Sequence, residues 1–262
     1  MKTKLGVLAV VALVAFGLKR HYADASTEAL SWILMPTAHV VGLATGVAFT
    51  AVPGEGYFSA ERMFLIEKAC AGVNFMIAAF AMVALALLHR ARTIRAGATV
   101  VGVSLVASYL AAVVVNTVRI VIAMWLAAHP MGWSSLTAAE IHRLEGVTVY
   151  FGGLLLLYAL VQRIDRAKSV FKYTLPLGCY YVVTLVVPLA NGAALTGDAF
   201  LVHALIVLLV PAVLMLCVWA AQRLFSRYPL RNVSAGSSAQ ARRAGSHAAA
   251  AATTANAPAP TM

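Results

Sequence analysis

Apolar stretches of up to about twenty residues, cut by short polar or basic clusters, constrain this chain more than any other feature. They cover residues 5–18, 29–52, 70–88, 96–115, 142–161, 173–190 and 199–221. About 20 apolar residues in helical form match the ~30 Å hydrocarbon core of a bilayer, whereas a soluble domain rarely needs such runs repeatedly. Of the 262 residues 62% are hydrophobic and 11% charged, with a mean hydropathy of +0.86. The expected fold is therefore all-α: a polytopic transmembrane bundle of about seven membrane helices, six to eight. The net charge of +11 sits in clusters between the apolar runs. Topology accounts for it, and no nucleic-acid partner is expected.

The first dense basic loop, His89 to Arg95, is expected on the cytoplasmic side by the positive-inside rule, which puts the Cys70 end of the third run at the extracytoplasmic face. Counting onward, Asn116 and Arg119 return to that outer face and His142 opens the fifth run there. Arg163, Arg166, Lys168 and Lys172, then Arg223, Arg227 and Arg231, fall inside, so the C-terminus is cytoplasmic. Upstream, residues 5–18 imitate a signal peptide, with Ala23-Asp24-Ala25 as the cleavage site. The Lys19-Arg20 pair between them argues for a short retained helix with snorkelling lysines. Single crossings by both early runs would place Lys2 and Lys4 outside. Either Lys19-Arg20 outweighs them or one early run does not fully cross. Residues 1–231 form the transmembrane domain. Residues 232–262, rich in Ala, Ser, Gly, Thr and Pro, are expected to be a disordered cytoplasmic tail.

Three polar residues stand out. Cys70, in Glu67-Lys68-Ala69-Cys70-Ala71-Gly72-Val73-Asn74-Phe75, is expected on the first turn of a membrane helix, where free N–H groups and the positive helix end favour a thiolate. Its bland alternative is a small apolar residue at a helix start. Asn74, one turn on, would hold a substrate carbonyl or the cysteine backbone, and Gly72 would let another chain approach. Arg119 is expected in the bundle interior, in a polar cavity or snorkelling to headgroups, with Asn116 on the same helical face. A fixed guanidinium there favours a thiolate or binds oxyanion charge. His142 shares a face with Gly146 and Tyr150; it is a general acid/base for Cys70, or an interfacial histidine bonded to Glu145 or water. Cysteine, arginine and histidine on three helix ends at one membrane face would make a thiol catalytic site.

Cys179 and Cys217 sit inside apolar runs and read as core or lipid-facing residues, with no CxxC pair or zinc spacing. His39, His89, His129 and His203 lack a partner at metal-ligand spacing; they read as interfacial or packing residues, His203 alternatively as lining a cavity. No metal or other cofactor is expected. Glu55, Tyr57 and Glu61 are loop residues, either solvated or touching a substrate peptide.

On Ala69-Cys70-Ala71-Gly72, Asn116-Thr117-Val118-Arg119 and Ile141-His142 with Gly146, the chain resembles the exosortase/archaeosortase family of membrane transpeptidases. Ser31-Trp32-Ile33-Leu34-Met35-Pro36-Thr37-Ala38 and Cys70-Ala71-Gly72-Val73-Asn74-Phe75 resemble the exosortase K subgroup most. The similarity covers about residues 19–222. It implies a cysteine transpeptidase or protease, integral to the plasma (inner) membrane, acting on exported proteins that carry a C-terminal sorting signal: a short motif, a transmembrane helix and a basic cluster. The family's cysteine maps to Cys70, its arginine to Arg119 and its histidine to His142. Many members carry serine where this chain has Ala71, so a hydroxyl-assisted step is not implied here. A thioester would pass to an amine-bearing acceptor or to water. The rivals are a cysteine protease with water as acceptor, a small transporter or channel with Arg119 and His142 in an ion path, and a structural assembly subunit. A thiol oxidoreductase lacks the paired cysteines it needs.

Overall fold

The computed structural model describes residues 2–129, 137–165, 174–190 and 198–227. The loop carrying Arg166, Lys168 and Lys172, the loop 191–197, Arg231 and the tail 232–262 lie outside the described residues. Among the described residues seven helices follow in order: α1 (Lys2–Asp24), α2 (Ser31–Thr45), α3 (Val73–Leu87), α4 (Ile94–Ala128), α5 (Ala138–Asp165), α6 (Thr174–Ala190) and α7 (Asp198–Arg227). Among the described residues four segments are long and apolar enough to cross a membrane: Lys68–Arg90, which contains α3, then Ile94–Ala128, Ala139–Asp165 and Phe200–Arg223. The chain is a largely helical membrane protein. By contact density it divides into Met1–Met215 and Leu216–Met262; in the second, the Arg223 guanidinium lies 5.2 Å over the Trp219 ring.

α3 is the hub of the first unit. Ten of its 15 residues are buried, so it has no polar stripe and no broad lipid face. α1, α4, α5 and α6 pack around it. α4 presents Val100, Ser104, Ser108, Ala112, Asn116 and Ile120 at every fourth position, all buried. Small side chains on such a row let backbones approach. The Ser104 and Ser108 hydroxyls turn back onto the carbonyls of Val100 (2.6 Å) and Leu105 (2.9 Å), so no polar atom on the row is orphaned by that approach.

The third run was expected to be followed by a helix ending near Val115. Instead α4 runs 35 residues to Ala128, about 52 Å at 1.5 Å per residue. Asn116 and Arg119 do not stop it because both are buried against neighbouring helices rather than returned to water. α1 likewise extends beyond the apolar stretch that marked it, through Lys19 and Arg20 to Asp24. Val7 and Val11 bury against Phe80, Ala84 and Val100. Its end is met by a lysine from far along the chain: Lys68 Nζ donates to Ala23 O in the last turn (3.1 Å) and to Ala25 O just past the helix (2.7 Å).

The second run is not one continuous crossing. α2 stops at Thr45 against Gly46, a left-handed cap at φ 72°, and the chain turns into a small antiparallel sheet of β1 (Thr50–Val52), β2 (Gly56–Ser59) and β3 (Phe64–Ile66) in that order. The fold is thus not wholly α. Thr50 pairs with Phe58, and Tyr57 with Ile66. Inside α2, Pro36 has no N–H for the carbonyl of Trp32. The Tyr109 hydroxyl of α4 donates to it instead at 2.9 Å, with the two rings stacked at 6.0 Å.

Asp165, the last residue of α5, has a side chain only 3% exposed and pairs with Arg90 and with His89 Nε2 (3.2 Å), just beyond α3. It fastens one end of α5 to one end of α3. Asp165→Asn is expected to lower stability by about 1–2 kcal/mol, since both partners are roughly half exposed and can rehydrate. Thermal unfolding of the detergent-solubilised protein measures it, and an unchanged transition would show that the clamp contributes nothing.

Candidate functional site

Cys70 does not stand on the first turn of α3. It ends a 3₁₀ turn, Lys68–Cys70, with its N–H given to Glu67 O at 2.8 Å, and Gly72 separates it from α3. Gly72 caps α3 at φ 68°, a left-handed conformation that favours glycine, so the helical register breaks between Cys70 and Asn74. A Cβ at Gly72 would also lie 3.2 Å from Asn116 Cγ. Gly72→Ala is expected to cost about 1–3 kcal/mol from backbone strain and to displace the Asn116 amide. Thermal unfolding together with any activity of the chain reads both effects.

The Asn116 amide, fully buried on α4, donates through Nδ2 to the carbonyl of Cys70. It therefore holds the cysteine backbone, the task the sequence suggested for Asn74. Asn116 Oδ1 accepts from the Tyr150 hydroxyl at 2.8 Å, and that hydroxyl accepts from Arg119 Nη1 at 3.2 Å. Arg119 Nη2 lies 2.7 Å from His142 Nε2. A guanidinium has only donors, so Nε2 must be the acceptor and a neutral imidazole carries its proton on Nδ1. Nδ1 faces Glu145 Oε2 at 3.6 Å, and Arg119 Nε lies 3.6 Å from the same oxygen. One line of polar groups thus runs from the Cys70 backbone through Asn116, Tyr150 and Arg119 to His142 and Glu145.

Arg119 is buried, 9% exposed, well before the end of α4, so the cysteine, arginine and histidine are not all at helix ends. Of the expectations for Arg119, the bundle interior is observed, with the guanidinium also in the wall of a cavity, and not snorkelling to headgroups. Gly146 permits it: a Cβ there would lie 3.1 Å from Arg119 Nε. The guanidinium carbon also lies 5.2 Å from the centre of the Tyr150 ring, which stacks on Phe75 at 5.4 Å.

A cavity of about 470 Å³ opens beside this line, with Asn74, Phe75, Arg119, His142, Tyr150 and His203 in its wall. Asn74 Oδ1 accepts from Lys19 Nζ of α1 at 2.8 Å, which leaves its NH₂ group to donate elsewhere. Cys70 is buried, 8% exposed, and is not in the wall, although its neighbour Ala69 is. Among the described residues no hydrogen bond joins the Cys70 thiol to His142; Arg119 lies within electrostatic reach of both. The structure therefore gathers Cys70, Gly72, Asn116, Arg119 and His142 in one neighbourhood, and Asn74 lines the adjoining cavity.

Tyr150 and Glu145 enter the site more deeply than their place in the sequence suggested. Their signal was present: 142, 145, 146 and 150 share one helical face. Lys19 gave no such signal. Among the described residues no group of three or more His, Cys, Asp and Glu is arranged to hold a metal ion. Comparison with protein-family models, with curated proteins and with solved structures gave no match to this chain.

Proposed function

We propose that this chain is an exosortase-like membrane cysteine transpeptidase, cleaving the C-terminal sorting signal of exported proteins through a thioester at the extracytoplasmic membrane face. The observation that carries this reading is the hydrogen-bonded line from the Cys70 carbonyl through Asn116, Tyr150 and Arg119 to His142, with Glu145 ion-paired beside it, inside a helical bundle and beside a cavity. Ion-paired and hydrogen-bonded groups inside membrane helices mark functional sites by default, because each is expensive to bury.

The chemistry follows from which groups can donate. Arg119 turns its Nη2 from the imidazole to the carbonyl oxygen of a bound peptide, and His142 Nε2, now free, takes the Cys70 thiol proton. The thiolate attacks the carbonyl carbon, and the oxyanion accepts from Arg119. Collapse breaks the C–N bond, and His142 returns its proton to the departing amine, leaving a thioester. An amine-bearing acceptor, or water, attacks the thioester. Its proton passes to Nε2 and then to the Cys70 sulfur as the acyl group leaves. Because Cys70 is buried behind the wall, the Lys68–Cys70 turn must open toward the cavity for the attack. The basic stretch from His89 to Arg95 supports a cytoplasmic position for that end of α3, and hence an outward site and a cytoplasmic C-terminus.

The test is co-expression with a tagged exported protein carrying a candidate C-terminal signal, followed by tag loss and product mass. Tag loss that depends on Cys70 supports the reading; an added acceptor mass means transfer, and an unmodified new terminus means hydrolysis. A second reading has its own observation: Arg119, His142 and His203 line the cavity whereas Cys70 does not, as in a transporter or channel with a buried ion path. That reading requires ion flux in proteoliposomes which survives Cys70→Ala and fails in Arg119→Ala.

A further inference from the structure

Glu145 follows His142 by one turn on α5, with 5% of its side chain exposed and no hydrogen-bond partner at either carboxylate oxygen among the described residues. A carboxylate this buried that accepts no hydrogen bond, with only Oε2 in ion-pair range of a cation, has acceptor capacity in reserve. One oxygen, Oε2, stands 3.6 Å from both Arg119 Nε and His142 Nδ1. The Arg119 to His142 contact fixes which imidazole nitrogen carries the proton, and that nitrogen is the one facing Glu145. Glu145 is not part of the cavity wall, so it cannot touch a substrate there.

From this geometry we infer that Glu145 is a positioning residue, which holds the Nδ1–H of His142 and balances the imidazolium formed when Nε2 takes the thiol proton. The inference rests on the proposed function and adds a third group to it, the orienter of the base. No proton passes to Glu145. When Arg119 swings to the oxyanion, the carboxylate keeps the imidazole in place and faces a positive ring in place of a positive guanidinium. The ion pair at Oε2 then strengthens when charge appears on His142.

Two measurements test it. In the unaltered protein, the ¹⁵N resonances of His142 are expected to show the Nδ1–H tautomer; the Nε2–H tautomer would overturn the inference, because Glu145 would face no proton. In the tag-loss assay, Glu145→Gln is expected to lower kcat about tenfold to a hundredfold with KM unchanged. That is below the ~10²–10⁴ of a full acid–base contribution because the contact is long. Glu145→Asp should recover part of the loss. If Glu145 only neutralises Arg119, Glu145→Gln would reduce the folded yield while each thioester-forming molecule turned over normally, which would also overturn the inference. Where Glu145→Gln does not fold, Glu145→Asp decides: a lowered kcat at unchanged KM carries the inference, and a wild-type kcat overturns it. Tag loss that survives Cys70→Ala sinks the proposed function itself, and the tautomer, which needs no activity, tells that failure apart from a failure of the Glu145 assignment.

Discussion

Cys70→Ala is expected to abolish tag loss, a fall of at least about 10³-fold, with the protein still folded and the cavity intact. The size follows from the chemistry: without sulfur no thioester forms, and the oxyanion donors alone retain only a small part of the rate. Survival of the fold follows from the way the residue is held. Asn116 grips the carbonyl of Cys70, not its side chain, so alanine leaves the line from Asn116 through Tyr150 to Arg119 untouched. Shortening a buried cysteine to alanine removes one atom, for about 1 kcal/mol. Cys70→Ser keeps the shape and supplies a hydroxyl, but a serine is a poor nucleophile unless a base is already aligned on it. No hydrogen bond to His142 supplies that alignment among the described residues, so serine should be nearly as inactive as alanine. Tag loss undiminished in both variants, measured beside matched melting curves, would remove the nucleophile assignment and favour the ion-path reading.

What could be read from the sequence, and what could not, divides along physical lines. Hydropathy found each apolar segment, because burial in lipid or in the bundle needs the same residues at every turn. It misplaced the ends wherever polar residues turn inward: α4 passes Asn116 and Arg119 without interruption because its neighbours, and not water, satisfy them. The sheet from Thr50 to Ile66 was hidden, since strands of three and four residues carry too few alternations to register, and Gly54 and Gly56 read as loop. The Cys70 neighbourhood was legible as three polar residues in apolar surroundings, an arrangement that is costly unless they meet. The division of labour inside it was not. Asn116, on α4, took the backbone-holding task suggested for Asn74, because the left-handed Gly72 breaks the helical spacing on which that suggestion relied. Lys19 stood 55 positions from the Asn74 it contacts, a separation across which no periodicity speaks.

Arg119→Lys is expected to reduce tag loss about 10²-fold or more even though the charge is kept. The arginine uses its whole fork. Nη1 donates to Tyr150, Nη2 to His142, and Nε faces Glu145. A lysine ammonium is a single point at the end of a flexible stem, and it cannot occupy three positions set by a planar group. Whichever partner it keeps, the others lose theirs. If it stays with Glu145, His142 Nε2 loses its donor and the oxyanion has none; if it follows His142, the Tyr150 hydroxyl loses its donor and the hold of Asn116 on Cys70 slackens. Arg119→Ala goes further, leaving the buried Glu145 carboxylate without its cation at a cost of about 3–5 kcal/mol, so that variant should fold poorly as well as fail to act. Comparing the two separates the roles. Stability near wild type with activity lost in Arg119→Lys assigns the fork geometry to catalysis. Activity near wild type in Arg119→Lys would show that position 119 contributes charge alone, and the proposed swing of Arg119 from imidazole to oxyanion would then be wrong.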